Sequence, residues 1–251
     1  GYLSVVSTIP TPGPKVTLGK TTGRRLAMAE WITNPANPLT YRVWVNRVWM
    51  HHFGEGLVRS VDNFGYNGDK PTHPELLDWL AVEFMDRKWD LRHMVRLIVN
   101  SETYKQSGAF TDAKLEKDPR NRLLSRGPRY RLDAEQVRDT ALAASGLLVR
   151  KVGGPSVRPY QPENIWSDVA MPQSNTRFYT ADKGEGLYRR SMYTFLKRSA
   201  PHPMMLNFDA TAREVFCTRR ERSNSPLQSL NLLNDVQFVE ASRILAERLL
   251  K

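Results

Sequence analysis

Apolar residues recur at helical spacing through most of the chain, in segments that begin with helix-capping residues. The clearest segment is Asn37–Phe53, where Asn37 can cap a helix and Pro38 fits its first turn without losing a hydrogen bond. Apolar side chains then continue at spacings of three and four as far as Gly54. The pattern predicts a helix over 37–53 that stops at this glycine.

A second helix is predicted from Thr72 to Phe84. Glu75 lies three residues after Thr72, the spacing of a capping box. The apolar residues that follow, Trp79 among them, predict a wide buried face. A loop rich in glycine, asparagine and aspartate joins this helix to the previous one.

Further helices are predicted where a capping residue precedes an apolar pattern of period 3.6. The segments are Gly23–Asn34, a helix capped by Asp90, a short turn over Asp118–Leu124, a helix from Asp133 with Gln136 to about Val149, and a last helix from Ser225 with Gln228 to Lys251.

Three segments lack the helical pattern. Residues 1–22 are proline-rich in part, which predicts a linker or N-terminal arm. Residues 152–186 are interrupted by glycine and proline, but contain aromatic residues that predict an ordered loop. Tyr188–Lys197 is the best strand candidate. We therefore expect a mainly α, irregular multi-helix domain over 23–251, with long ordered loops and a minor β element.

The charge balance favours negatively charged partners. The 251 residues carry a formal charge of +11, and 26 of the 37 basic residues are arginine. Guanidinium groups hold carboxylate, sulfate or phosphate in a bidentate manner, so polyanions, acidic proteins and anionic surfaces all fit. The alternative is that many arginines pair with the 26 acidic residues or bind backbone carbonyls.

Cysteine usage and hydropathy exclude several classes of site. Cys217 is the single cysteine, so the chain has no internal disulfide, no four-cysteine metal site and no Cys-x-x-Cys-His haem attachment. No apolar run reaches the length of a membrane span, and no signal peptide is recognised. The chain begins at Gly1 rather than methionine, as expected of a piece of a longer protein.

The first candidate site is catalytic and consists of Arg47, His51 and His73, with Asp62 or Glu75 as possible acid/base residues. Arg47 and His51 are four apart and share a helix face. His73 lies at a helix start, where exposed N–H groups favour an anion and a neutral imidazole. The alternatives are a structural hydrogen bond for the first pair and simple packing for His73.

Metal binding is not predicted. His51, His52, His73 and His93 lack the His-Glu-x-x-His spacing of zinc sites. The oxygen-rich loop between the first two helices fits no EF-hand register, and asparagine, aspartate and glycine are also ordinary turn residues.

The second candidate site is an anion-binding cluster just before the last helix. It contains guanidinium groups, a side-chain amide and the free N–H groups of a helix start. Arg189 and Arg190, on the predicted strand, are also candidate anion-binding residues. The competing interpretation is that these arginines tie the irregular segment to the core through buried salt bridges. The cluster residues are Arg213, Arg219, Arg220, Arg222 and Asn224.

Several motifs together resemble the planctomycete cytochrome-associated domain of unknown function (PSD-type, domain-of-unknown-function family 1553), over roughly 23–251. They are R-x-W-V-N-R-V-W-M-H-H-F-G-E-G-L-V, P-T-H-P-E-L-L-D-W-L-A, R-L-D-A-E, G-G-P-S-V, Y-R-R-S-M-Y-T-F and R-S-N-S-P-L-Q. The resemblance implies an exported protein, periplasmic or extracellular, with a cytochrome c domain on the same or a partner chain. Any haem would then belong to that neighbouring domain, and no cofactor is expected in this chain.

The leading hypothesis is an accessory or interaction module that binds an anionic polysaccharide or an acidic protein surface beside cytochrome-bearing domains. The second is an enzyme acting on an anionic or sulfated glycan. A nucleic-acid binder ranks last, because the arginines are scattered and no known nucleic-acid module is recognised.

Overall fold

The computed structural model describes residues 23–251 and contains eleven α-helices in that part of the chain. The mainly α fold with long irregular loops is therefore confirmed. The predicted arm over 1–22 lies outside the described residues. Two compact units make up the chain, the first ending at Arg129 and the second running from Tyr130 to Lys251. The assignment of 23–251 to a single domain stays a prediction. Within 23–251 no helix is long and apolar enough to cross a membrane.

Unit 1 is built around three helices, α2 (Thr40–Phe53), α3 (Pro74–Asp86) and α4 (Leu91–Val99), whose apolar faces form one core. Val45 and Trp49 of α2 pack with Leu80 of α3 and Met94 of α4, and all four side chains are buried. Burial of such side chains contributes about 1.5–3 kcal/mol each to folding. The helices of unit 1 are α1 (Arg24–Ile32), α2 (Thr40–Phe53), α3 (Pro74–Asp86), α4 (Leu91–Val99), α5 (Glu102–Lys105) and α6 (Asp112–Lys117).

Asn46, within α2, fixes the loop that follows this helix. Its side chain is 1% exposed, donates to the Val58 carbonyl (2.9 Å) and accepts from the Val58 N–H (2.8 Å). A Cβ atom on Gly56 would lie 2.5 Å from the Val58 carbonyl oxygen and 2.7 Å from the Asn46 amide nitrogen. These contacts explain structurally why the N-R-V-W-M-H-H-F-G-E-G motif has an asparagine at position 46 and a glycine at position 56.

The starts of α3 and α4 test two capping predictions for unit 1, and only the second is confirmed. The Thr72–Glu75 capping box is wrong, because α3 begins at Pro74 with His73 as its N-cap. Thr72 instead donates its backbone N–H to the Leu57 carbonyl at 2.9 Å. Asp90, by contrast, caps α4 as predicted, accepting from two backbone N–H groups.

Two other expectations for unit 1 also fail. The predicted helical turn over Asp118–Leu124 is a pair of turns, because the buried Asp118 carboxylate accepts from the N–H groups of Arg122 (2.7 Å) and Leu123 (2.9 Å). Trp79, assigned to the buried face of its helix, is 52% exposed. The short helices α5 and α6 were not predicted.

Unit 2 contains five helices and two 3-10 turns. Its buried core consists of Ala134 of α7 (Ala134–Ser145), Met204 and Met205 of α9 (Pro203–Asn207), Phe208 directly after α9, and Phe238 of α11 (Val236–Leu249). The elements are α7 (Ala134–Ser145), α8 (Ile165–Val169), the 3-10 turns Gly184–Tyr188 and Ser191–Tyr193, α9 (Pro203–Asn207), α10 (Pro226–Asn234) and α11 (Val236–Leu249).

The predicted strand and the predicted last helix of unit 2 both need correction. Tyr188–Lys197 is not a strand: it contains the end of one 3-10 turn and the whole of a second, and is otherwise irregular. The β structure among the described residues consists of isolated parallel bridges, at Arg189 and at Thr194. The last helix starts with its predicted capping box but is interrupted at Asp235. The Asp235 side chain accepts from the Gln237 N–H at 2.9 Å and so begins a new helix, α11.

Candidate functional site

Arg189, one of the predicted anion-binding residues, is buried and bonded to the backbone. Its guanidinium donates to the carbonyl oxygens of Pro155 (2.9 Å), Lys151 (3.2 Å) and Gly153. Its central carbon lies 3.9 Å from the Tyr193 ring centroid. These contacts join the Gly-Gly-Pro loop to a 3-10 turn through backbone carbonyls and an aromatic ring, rather than through the salt bridges of the competing interpretation.

Arg138 of α7 has a similar role, although the sequence did not single it out. Its side chain is 1% exposed and makes five hydrogen bonds to four acceptors. Two bonds reach the Gln237 side-chain oxygen on α11, at 3.0 and 2.8 Å. The others reach the Leu187 and Arg189 carbonyls and the Ser191 hydroxyl, at 2.7, 2.9 and 3.1 Å. Arg138 thus joins α7 to α11 and to both 3-10 turns.

Two arginines of the predicted cluster pair with carboxylates at the start of α7. Arg220 binds both oxygens of Glu135, at 2.5 and 3.2 Å, and Arg222 Nε lies 3.5 Å from an Asp133 oxygen. Burial opposes ionisation of Glu135, but the Arg220 hydrogen bond and charge outweigh it and hold the pKa of Glu135 below its usual value. The same hydrogen bond raises the pKa of Arg220.

The remaining predicted anion-binding residues lie at the surface. Arg190 Nε is 3.5 Å from Asp139 and half exposed, Arg219 is 3.9 Å from Glu221, and Arg213 and Asn224 are exposed. The α10 start that was to supply free N–H groups is already engaged by the Ser225–Gln228 capping box. Anion binding by these four residues, and by Arg189, Arg220 and Arg222, stays a prediction.

The predicted catalytic residues lie in unit 1. Arg47 and His51 are exposed on α2, and His73 is half-buried with its Nδ1 3.0 Å from the Thr72 hydroxyl. An apolar cavity of unit 1 and a polar cleft of unit 2 are both lined by other residues. The catalytic assignment of Arg47, His51 and His73 therefore stays a prediction, as does the acid/base role of the exposed Asp62 and Glu75.

His52, His93 and the Asx-rich loop of unit 1 have local hydrogen-bond partners. His52 donates its Nδ1–H to the Val48 carbonyl at 2.7 Å, and His93 Nε2 lies 2.7 Å from a Glu83 oxygen. The Asx-rich loop is held by the Ser60 hydroxyl, which accepts from the Asp69 N–H at 2.7 Å. Over 23–251, no group of three or more His, Cys, Asp or Glu is placed to hold a metal ion.

One arrangement of unit 2 that has the size of a ligand site is the polar cleft, a cavity of about 600 Å³. It lies between the segment that follows α8, the segment 197–199 and Glu214. This volume is in the range of small-ligand pockets, about 300–1,000 Å³. Its polar lining combines two cations, an amide, three hydroxyls and a carboxylate, namely Lys197, Arg198, Gln173, Ser174, Thr176, Ser199 and Glu214.

Two cations of the polar cleft differ in how firmly they are held. Lys197 Nζ donates to the Thr176 carbonyl at 2.7 Å and lies 4.9 Å from the centroid of the buried Trp166 ring. The exposed Arg198 guanidinium forms neither an ion pair nor a hydrogen bond with any residue in 23–251. One cation is therefore fixed within the cleft, while the other is available to an anion.

Sequence reasoning missed the residues of the polar cleft. They come from irregular segments without periodicity, so no helical or strand pattern brings them together. The available signal was local: Gln173-Ser174-Asn175-Thr176 and Lys197-Arg198-Ser199 are short polar runs beside the aromatic residues of the long loop.

Comparison with known proteins gives a family without an established activity. No curated protein and no solved structure matches the chain significantly. Residues 24–251 match the PSD1 family, described as "Protein of unknown function (DUF1553)". This match spans almost all of the described residues, both units included, and the chain therefore belongs to the PSD1 (DUF1553) family.

Proposed function

We propose that the chain is a non-catalytic accessory module that binds an anionic polysaccharide in the polar cleft of unit 2. The observation that carries this proposal is the available Arg198 guanidinium beside the fixed Lys197 ammonium in one cleft. Two cations placed among hydroxyl and amide groups suit a ligand that has both negative groups and many hydroxyls.

The overall charge supports the same ligand class. A net charge of +11 raises the local concentration of polyanions and their association rate, without selecting among them. Selectivity has to come from the hydrogen-bonding groups of the cleft, since hydroxyl and amide groups recognise sugar hydroxyls. A glycan that carries sulfate or carboxylate groups meets both requirements.

The lining of the polar cleft suits the binding of a glycan better than its hydrolysis. Most glycoside hydrolases use a pair of carboxyl groups about 5–9.5 Å apart. Glu214 is the one carboxylate in the described lining of the polar cleft. The alternative, an enzyme acting on a sulfated glycan through Arg47, His51 and His73, predicts release of new reducing ends from the same ligand.

A protein partner is the second candidate ligand. α10 and the start of α11 expose several apolar side chains, including Leu230 (56%), Leu233 (73%) and Val236 (61%). Exposed apolar patches of this kind commonly mark protein interaction sites. A neighbouring cytochrome c domain, implied by the family resemblance, is the partner we propose for this surface. Cross-linking to such a domain should be lost in a Leu233→Glu variant.

The test of the polysaccharide proposal is calorimetric titration with a sulfated oligosaccharide, its desulfated form and duplex DNA. The wild-type chain should prefer the sulfated sugar. Arg198→Ala should weaken this binding about fivefold, the effect of losing an exposed ion pair of about 1 kcal/mol. Arg150→Ala is the matched control, because Arg150 is an exposed arginine of unit 2 outside the cleft and outside the predicted anion-binding cluster, and should change affinity less than twofold.

Three outcomes would overturn the proposal. Equal losses in Arg198→Ala and Arg150→Ala would mean that the charge acts diffusely and that no cleft is used. DNA binding as tight as sugar binding, with a steep loss of affinity at higher salt, would favour the nucleic-acid alternative. Reducing ends that appear during the titration would favour the enzyme instead.

A further inference from the structure

Unit 1 contains an apolar cavity of about 520 Å³ that the anionic-polysaccharide proposal does not use. Its walls are supplied by α2, α3 and α4, through Trp49, Leu76, Trp79, Leu80 and Leu97. Trp49 and Leu80 are buried, at 5% and 2% exposed, whereas Trp79 is 52% exposed. The inner wall therefore belongs to the core, and Trp79 forms an aromatic side of the opening.

The mouth of this cavity carries polar groups at the end of α4. Arg96 and Asn100 both line it and are both exposed. Within 23–251 the Arg96 guanidinium forms no ion pair or hydrogen bond. The hydrogen bond from the His93 backbone N–H is the main cause of the lowered pKa of Asp90, and the Arg96 charge adds a smaller effect. His93, the other ionisable lining residue, is engaged with Glu83 at 2.7 Å.

The cavity thus combines an apolar interior with a cation available at its rim. Pockets that are mostly apolar, with a few convergent polar groups, are the usual form of small-molecule sites, and this volume is within their range of about 300–1,000 Å³. A polysaccharide has no apolar body to fill such a space. A ligand with an apolar tail and a negatively charged head satisfies both parts of the cavity.

We propose that this cavity binds a small amphipathic anion, with its aliphatic or aromatic body between Trp79 and Leu97 and its carboxylate or sulfonate at Arg96. The apolar body contributes most of the binding free energy through its removal from water. The charge-assisted hydrogen bond to Arg96 sets the orientation and the preference for an anionic head. The Asn100 amide provides a neutral donor beside it.

The experiment compares three probes that share one tail, octanoate, octanol and octylammonium, by calorimetric titration of the whole chain. Octanoate should bind most tightly and octylammonium least. Arg96→Gln should weaken octanoate binding about fivefold, as expected for loss of a partly exposed charged contact. The same variant should leave octanol binding unchanged.

Matched controls separate this site from general surface charge and surface apolarity. Arg92→Gln changes an exposed arginine of the same helix that does not line the cavity, and should leave octanoate binding unchanged. Trp79→Ala should weaken binding of all three probes. Trp44→Ala removes another tryptophan of unit 1, 47% exposed and outside the cavity lining, and should weaken none of them.

Several results would overturn this proposal. Equal affinity for octanoate and octylammonium would show that Arg96 does not select an anionic head group. Equal losses in Arg92→Gln and Arg96→Gln, or in Trp44→Ala and Trp79→Ala, would place binding elsewhere. If Trp79→Ala does not fold, Trp79→Phe, which keeps an apolar ring, should retain probe binding, and loss of binding in that folded variant would also contradict the proposal.

Discussion

Replacing Arg138 with methionine should destabilise unit 2 strongly, because the guanidinium satisfies four otherwise unpaired acceptors. Methionine keeps much of the apolar stem but leaves the Gln237 side-chain oxygen, the Leu187 and Arg189 carbonyls and the Ser191 hydroxyl without this donor. Each unsatisfied buried polar group costs about 1–3 kcal/mol.

The net loss in Arg138→Met is smaller than the sum of these costs. Burial lowers the pKa of Arg138 to about 10, although Asp139 and Asp235 oppose the shift. Removing the buried charge therefore recovers part of its desolvation penalty. The hydroxyl and amide acceptors can also reorient. We expect a loss of about 3–5 kcal/mol in the free energy of unfolding, the range measured when one partner of a buried charged set is removed.

Urea unfolding followed by circular dichroism measures this loss, and hydrogen exchange locates it. Exchange should accelerate over 134–145, 187–193 and 236–241, the segments that Arg138 joins. Arg219→Met is the control, since the Arg219 side chain is 49% exposed and 3.9 Å from its carboxylate. It should change stability by less than about 0.5 kcal/mol. A loss below about 1 kcal/mol in Arg138→Met would refute the reasoning, because one unsatisfied buried group alone costs that much.

Three further predictions test other contacts. Asn46→Ala should cost about 2–3 kcal/mol in thermal or urea unfolding, because both polar groups of buried Val58 lose their partner. Burial lowers the pKa of His202, whose Nε2–H donates to a backbone carbonyl, so the stability contributed by the neutral imidazole is lost as the pH falls below 6.5. The free energy of unfolding should therefore decrease less between about pH 7 and 5 in His202→Gln than in the wild-type chain. The pKa of Glu135 is held below 4.5, so the stability contributed by its carboxylate is present above that pH and lost below it. In the same unfolding measurements, Glu135→Gln should lose less stability on acidification than the wild-type chain.

Local capping chemistry predicted several helix starts correctly, because it depends on residues close in sequence. Asp90, the Asp133–Gln136 pair and the Ser225–Gln228 pair begin helices in the predicted places. The failures come from longer-range competition. Thr72 has the right spacing for a cap but donates to the Leu57 carbonyl, fifteen residues away, and leaves the helix to begin at Pro74.

The candidate sites were less predictable than the fold. The high arginine content predicts that guanidinium groups take part in many contacts. The sequence cannot, however, distinguish a guanidinium that binds carbonyls from one that faces solvent. Arg138 and Arg189 are buried and bonded to backbone, whereas Arg198 and Arg96 are exposed at cavities. This difference depends on contacts between irregular segments, which have no periodicity from which to predict them.

The most direct test of the central claim is hydrogen exchange with and without the sulfated oligosaccharide. Binding in the polar cleft predicts slower exchange over 169–176 and 197–199, and this protection should be lost in Arg198→Ala. Protection confined to 213–224, or to unit 1, would contradict the claim, as would protection that persists unchanged in Arg198→Ala.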